Sequence, residues 1–330
     1  MAQFRAFRVE KEGDKTCHSI VELSVGDLPA GDLLIRVQYS SVNYKDALSA
    51  KGMPGVTRAY PHTPGIDAAG TIIESADAAF KVGDEVIVIG FDLGMNTPGG
   101  YGEMIRVPVA WVTPLPDGLS LRDSMIIGTA GFTAALCIEK LEKMGAVPED
   151  GPVIVSGATG GVGSVAVALL AQSGYDVIAS SGKAEKVDYL KSLGASAVIS
   201  REELAAENQR PLLSTNYAHG IDTVGGEILS NIVKSLRYGG SVAICGLVAS
   251  PNFTTTVLPF ILRGINILGI DSVELPISSK NHIWHRLATD WKISSIDAMT
   301  VEIGLEGISE VVDAIFAGQV SGRTLVIHDL

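Results

Sequence analysis

The sequence predicts an α/β protein in two parts, an irregular β-barrel followed by a doubly wound parallel sheet, and three observations carry that prediction. About the first 110 residues read as short strands between loops, without helical periodicity. From about Ser120 the texture changes, and beyond it strands alternate with helices of about 10 to 13 residues. At 153–164 a glycine-rich turn joins a strand to a helix, as parallel sheets require.

The elements follow in order. LLIRVQYSSVN (33–43) alternates over its first half like a half-buried strand. DAAGTIIES (67–75) and VGDEVIVIG (82–90) are further strands, the second after a Gly-Asp turn, and FDLGMNTPGGY (91–101) is a glycine-rich loop. SLRDSMIIGTAGFTAALCIEKLEKMGA supports two helical segments, the second stopped by Gly145 and Pro148. Then come strand GPVIVSGA, an Ala/Val/Leu helix to Gly174, strand YDVIASS, helix KAEKVDYLKSLGA and strand SAVIS. GIDTVGG and GSVAICGLV flank the helix EILSNIVKSLRY. GINILGIDS is strand-like, SSKNHIWHRLATDWKI and SEVVDAIFAG are helical, and SGRTLVIHDL ends on a strand that rejoins the first domain. The expected domains are 1–124, 125–265 and 266–330, the last returning to the first.

Composition narrows the function. The 330 residues carry a formal charge of −12, and the 25 Lys and Arg are scattered among 37 acids, so nucleic-acid binding is disfavoured. Cys17, Cys137 and Cys245 are far apart, with no C-x-x-C, which leaves neither a thiolate zinc cluster nor a disulfide framework. The N-terminus is charged from residue 5 and does not read as a signal peptide. Val162–Ala171 reads as the longest strongly apolar stretch and is too short to span a bilayer. A soluble protein of the cytoplasm is expected.

VIVSGATGGVGS (153–164) spaces Gly157, Gly160 and Gly163 as G-x-x-G-x-x-G between a strand and a helix. Such a turn lets backbone approach a pyrophosphate, and the helix start offers unpaired N–H groups. The end of the next strand decides the dinucleotide: an acid there would accept from a ribose 2′-OH. The chain instead has Ser180, Ser181, Gly182 and Lys183, and Arg201 follows the next strand. Hydroxyls and cations suit a 2′-phosphate, so NADPH is favoured; as an alternative, Lys183 and Arg201 are solvated residues at helix starts.

At these motifs the chain resembles the medium-chain dehydrogenase/reductase superfamily over its whole length: a GroES-like catalytic barrel, an inserted Rossmann domain and a C-terminal return. VSGATGGVG resembles the quinone oxidoreductase signature. SSVNYKDALS, PGIDAAGT, MIIGTAGFTAALC, DYLKSLGAS, LPFILRGINILGIDSV and GRTLV together resemble the NADPH-dependent acrylyl-CoA reductases, a group also called quinone oxidoreductases. The resemblance implies cofactor contacts from Tyr44, Thr159, Gly160, Gly161, Val162, Gly163, Ser181, Gly182, Lys183, Arg201, Leu247, Ile261, Ser272 and Gly318. It further implies a homodimer with INILGIDS as the pairing edge.

Zinc members of the superfamily carry Gly-His-Glu where this chain has Gly65-Ile66-Asp67, and SSVNYKD lacks the thiol. Zinc wants three or four Cys, His or carboxylate ligands, so no metal is expected; His62 reads as a pocket wall, and His282 and His285 lack a third partner. The implied activity is NADPH-dependent reduction of a short 2-enoyl-CoA, acryloyl-CoA to propanoyl-CoA. The alternatives are quinone or enone reduction and a non-enzymatic NADPH-binding role. Three residues are the catalytic candidates. Tyr44 is a hydrogen-bond donor or a packing ring. Asn43 donates its amide to a carbonyl or caps a turn. Asp67 orients Tyr44, Lys45 or a water, or is paired structurally. Lys45, Lys51, Arg58 and Arg106 either meet CoA phosphates or are simply solvated.

Overall fold

The computed structural model describes residues 2–13, 15–294 and 296–328. It divides into two compact units, one of Met1–Thr129 with Ser272–Asp290 and Ile296–Leu330, the other of Ala130–Asp271 with Trp291–Ser295.

The first unit opens with the antiparallel hairpin β1 (Gln3–Glu12) and β2 (Lys15–Ser24). Five strands follow: β3 (Leu33–Val42), β4 (Asp67–Ser75), β5 (Glu85–Ile89), β6 (Met104–Val107) and β7 (Val112–Pro114). Their inward residues, among them Leu33, Ile35, Val37, Ile72, Val86, Val88 and Ile105, fill the barrel core, as two-residue alternation dictates. Between β3 and β4 lies α1 (Tyr44–Ala50), a helix that the reading of this half as strands and loops missed. α2 (Leu121–Lys143) is broken at Gly128, which has φ 51° and ψ −165°. Among the described residues this helix, longer than Val162–Ala171, is long and apolar enough to cross a bilayer, but its apolar window is 94% buried, as in a core helix.

The second unit is a six-stranded parallel sheet, and all its strand pairs are parallel. Its elements are β8 (Val153–Val155), α3 (Gly161–Gln172), β9 (Val177–Ser181), α4 (Val187–Ser192), β10 (Ala197–Ser200), α5 (Arg201–Leu204), β11 (Tyr217–Asp222), α6 (Gly226–Ser235), β12 (Leu236–Ile244), α7 (Leu258–Arg263) and β13 (Asn266–Gly269). The strand order β10-β9-β8-β11-β12-β13 reverses between β8 and β11, the crevice where such sheets bind ligands. α6 stops at Ser235, earlier than the sequence suggests, because Leu236 is already in β12.

The chain then returns to the first unit through α8 (Ile277–Ala288), β14 (Thr300–Ile303), α9 (Ile308–Phe316) and β15 (Arg323–Ile327). β15 pairs with β3 and β14, completing the sheet order β14-β15-β3-β4-β5-β7. α8 is pinned by a lysine. Lys280 is 1% exposed, donates to the Ile89 carbonyl at 2.8 Å and the Val273 carbonyl at 2.9 Å, and lies 3.5 Å over the Phe91 ring. Lys280→Met would keep the apolar stem and strip two carbonyls of a charged donor, an expected loss of about 2–4 kcal/mol. Urea unfolding checks this; a change below about 1 kcal/mol would mean that water replaces the ammonium.

Candidate active site

In the second unit, apolar β8 delivers the chain to a tight turn. Gly157 has φ 58°, and a Cβ there would lie 2.3 Å from the Thr223 hydroxyl oxygen. A Cβ on Gly163 would lie 2.3 Å from the Gly157 carbonyl oxygen and 2.7 Å from Ala158 Cα, so α3 packs on the turn only because residue 163 lacks a side chain. Gly160 differs: its Cβ would meet only the Gly157 oxygen, at 3.3 Å. The turn is braced from β11 by a residue the sequence reading did not single out. The Asp222 carboxylate accepts from Ser156 Oγ at 2.6 Å and from Gly225 N at 2.8 Å, and burial raises its pKa.

At the carboxyl end of β9 the expected phosphate-binding residues come together. The Thr159 and Ser181 hydroxyls are 3.3 Å apart, and Lys183 N donates to Ser181 Oγ at 3.0 Å. The Arg201 guanidinium lies against Gly182, where a Cβ would come within 2.8 Å of its Cζ. Partial burial lowers the Lys183 pKa. Arg201 also holds the exposed Glu202 carboxylate at 3.2 Å. The side-chain-free turn and these donors fit a phosphorylated dinucleotide: α3 offers its first amides, and Ser181, Lys183 and Arg201 offer donors beside them. Leu247 borders a cavity of about 300 Å³ with Gly225, Gly226, Cys245 and Ile270. Ile261 stands 70% exposed on α7 and does not line that cavity.

In the first unit, α1 starts where it does because Asp46, at its third position, accepts from Asn43 N at 2.9 Å. Tyr44 therefore opens the helix. Its ring is 41% exposed and stacks at 6.1 Å on Phe316, the last residue of α9. Gly318 follows at φ 68°, next to that stack in sequence, and Ser272 is buried just past β13.

Beneath α1 lies a buried polar cluster. Asp67 is inaccessible and accepts from Ser41 Oγ at 2.5 Å, Asn43 Nδ2 at 2.8 Å, and the Thr129 backbone N–H at 2.8 Å and hydroxyl. Arg323 Nη2 donates to Ser41 Oγ at 3.0 Å and Nε to the Ile126 carbonyl at 2.7 Å. Gly128 breaks α2 at this junction. A Cβ there would lie 2.6 Å from Asp67 Oδ2, 2.6 Å from Ser41 Oγ and 2.7 Å from Arg323 Nη2. Asp46 is also fully buried; it accepts from Gly65 N at 3.2 Å and Ile66 N at 2.8 Å besides Asn43, and burial with the neighbouring Asp67 pushes its pKa up to about 7.

For Asp67 and Asn43 the structure shows the paired and the capping arrangement among the alternatives that the sequence leaves open. Asp67 binds neither Tyr44 nor Lys45, because its oxygens are taken by Ser41, Asn43 and Thr129. The Asn43 amide is turned toward Asp67, Asp46 and Ser41, so its N–H groups are already committed and do not await a carbonyl. His62 is buried, binds the Gly94 carbonyl at 2.9 Å and has a pKa lowered by that burial. His282 and His285 are exposed on α8. Among the described residues no three His, Cys, Asp or Glu side chains gather as a metal would require. Of the four candidate CoA cations, Lys51 pairs with Asp313 and Arg106 with Glu74.

Comparison with known proteins places this geometry. Residues 29–117 match the family model described as alcohol dehydrogenase GroES-like domain, and residues 161–288 match the zinc-binding dehydrogenase model. The chain is 44% identical to the acrylyl-CoA reductase AcuI of Ruegeria pomeroyi, over 98% of both proteins. It is equally similar, over 98% of both, to Bacillus subtilis YhfP, provisionally named a quinone oxidoreductase. The YhfP crystal structure, with NAD bound, superposes with a TM-score of 0.96 over 99% of this chain and 100% of that one, at 43% identity. The yhdH oxidoreductase of Salmonella enterica, solved with NADP, superposes with a TM-score of 0.95 over 99% of both chains, at 46% identity.

Proposed function

The chain belongs to the acrylyl-CoA reductase and quinone oxidoreductase family of the medium-chain dehydrogenases/reductases, and on that premise we propose that it reduces the conjugated C=C of a short 2-enoyl-CoA, acryloyl-CoA to propanoyl-CoA, with NADPH and without zinc. The full-length similarity to the Ruegeria pomeroyi enzyme carries this reading. NADPH, when bound, supplies the hydride, which goes to the β-carbon of the alkene. A proton goes to the α-carbon, and donors near the thioester oxygen stabilise the enolate formed between the two transfers. Tyr44, with its exposed phenol on a rigid helix start, is the side chain we assign to the reacting end.

The zinc-free reading rests on donor chemistry. In place of the superfamily's Gly-His-Glu stand Gly65, Ile66 and Asp67, and Asp67 is saturated by hydroxyl, amide and backbone donors. A carboxylate already accepting several hydrogen bonds beside a buried guanidinium is a poor ligand for a dication. Reduction of an alkene polarised by a thioester needs no Lewis acid for hydride acceptance, unlike alcohol oxidation.

Preference for NADPH follows from Ser181, Lys183 and Arg201. Arg201→Ala is expected to weaken NADPH about 5–20-fold and leave NADH nearly unchanged, the worth of one charge-assisted phosphate contact at a partly exposed site. Titrating both cofactors by fluorescence checks this; parallel loss for both would show that Arg201 supports the fold and does not read the phosphate. The neighbour solved with NAD makes the comparison necessary.

Substrate identity is tested by following NADPH oxidation with acryloyl-CoA, crotonyl-CoA and a benzoquinone at equal concentrations. Fast turnover of acryloyl-CoA is expected. Oxidation by the quinone with inert thioesters would overturn the enoyl-CoA assignment and make quinone reduction the function. We also propose a homodimer paired through the β13 edge, and a monomer mass in solution scattering would refute it.

A further inference from the structure

The cluster under α1 contains two fully buried carboxylates, Asp46 and Asp67, and one buried guanidinium, Arg323. Neither Asp67 nor Arg323 is free to adjust. Asp67 caps the helical segment that begins at Thr129, and Arg323 reaches Asp67 through the Ser41 hydroxyl. Asp46 is placed differently. One of its oxygens holds the Gly65–Ile66 turn that leads into β4, and the other holds the backbone and side-chain amides of Asn43, the residue before Tyr44. The Asn43 side-chain amide bridges the two carboxylates, at 2.8 Å from Asp67 and 3.2 Å from Asp46.

We propose that Asp46 is a proton-accepting positioning residue whose charge state holds or releases the turn that presents Tyr44. The charged and titratable groups that face it are Asp67 from β4, Tyr101 from the loop before β6, whose phenol donates to the Ser41 carbonyl at 3.4 Å, and Arg323 from β15. As an anion Asp46 only accepts, and every neighbour named above as its partner is a donor. Protonation turns one of its oxygens into a donor, and a donor cannot face the Asn43 N–H groups. The cap of α1 then opens at Tyr44. Burial and the Asp67 charge bring this titration to about pH 7.

The test has two arms on the full chain. Infrared difference spectra between pH 6 and pH 8 read the carboxyl group directly, for wild type, Asp46→Asn and Asn43→Ala. A protonated-carboxyl band is expected in the wild type and is lost in D46N. In N43A, which removes the side-chain amide that donates to the anion at 3.2 Å, the midpoint should move to higher pH. A band that persists unchanged in D46N, or an unmoved midpoint in N43A, overturns the assignment. If D46N does not fold, N43A decides alone.

The second arm rests on the proposed reductase reading. KM for acryloyl-CoA should rise about ten-fold from pH 8 to pH 6 with little change in kcat, because apparent affinity scales with the fraction of protein that is competent. Ligand phosphates titrate in the same range, so the profile is taken as a ratio to D46N, which should show the high KM at both pH values. Profiles that run in parallel overturn the positioning role. If acryloyl-CoA is inert, the benzoquinone replaces it. If both are inert the reductase reading fails, and the infrared arm decides the fate of Asp46.

Discussion

Gly163→Ala is expected to weaken NADPH binding at least about 100-fold and to destabilise the chain by about 2–4 kcal/mol, by overpacking where backbone meets backbone. The added Cβ would stand 2.3 Å from the Gly157 carbonyl oxygen and 2.7 Å from Ala158 Cα, and neither is a flexible side-chain end that can swing away. Relief requires α3 to lift from the turn, and the amides at the start of α3 lift with it. Gly160→Ala makes the instructive contrast. Its Cβ would meet one protein atom at 3.3 Å, with φ at an ordinary −76°. Stability should therefore stay within about 1 kcal/mol of wild type. Binding should still fall, because the new methyl would occupy space needed by the pyrophosphate. Thermal unfolding and cofactor titration on both variants separate the two roles. Full NADPH affinity in G160A would show that the dinucleotide does not lie on this turn.

The contrast also marks what the sequence could convey. The glycine turn was legible because its spacing, the strand before it and the helix after it lie within a dozen residues, and local chemistry fixes the geometry. Ser181, Gly182, Lys183 and Arg201 were legible for the same reason, as ends of consecutive strands in a parallel sheet. The cluster around Asp67 was not. Asp67 stood out as an acid in the wrong place for a metal site, but its partners come from Ser41, Asn43, Thr129 and, through Ser41, Arg323, which lies 282 positions beyond Ser41. Nothing in GRTLV announces that its arginine is 2% exposed. Asp46 sits between two more conspicuous candidates in a stretch that does not read as a helix, so neither its capping place in α1 nor its burial is visible in the sequence. A signal was present in PGIDAAG and SSVNYKD, two apolar-flanked segments that each carry an acid, but burial of those acids is a tertiary fact. Gly128 carried a signal too, since a glycine inside a helical pattern implies close approach, though not of what.

Arg323→Met should produce the larger stability loss, about 3–5 kcal/mol at pH 8, the cost of stranding buried carboxylates without their cation. Methionine matches the aliphatic stem and fills much of the volume, so the loss is electrostatic in origin. The Ile126 carbonyl and the Ser41 hydroxyl would lose donors as well, which adds to the penalty. The pH dependence identifies the cause. Asp46 already has a folded-state pKa raised to about 7, so the stability linked to its proton is fully present below its unfolded value and is lost as pH rises through about 7. Removing Arg323 takes away a charge that favours the anion, so the folded-state pKa climbs further and the loss widens above neutrality. The gap in melting temperature between R323M and wild type should therefore be widest near pH 8 and narrow toward pH 5.5, where protonated Asp46 no longer needs a cation. Melting curves at four pH values between these limits check the sign. A gap of constant width would mean that Arg323 acts through packing alone, and the buried carboxylates would then have to be accommodated by water or by each other. A gap that widens on acidification would contradict the linkage outright, because no group in this cluster gains an unfavourable charge as pH falls.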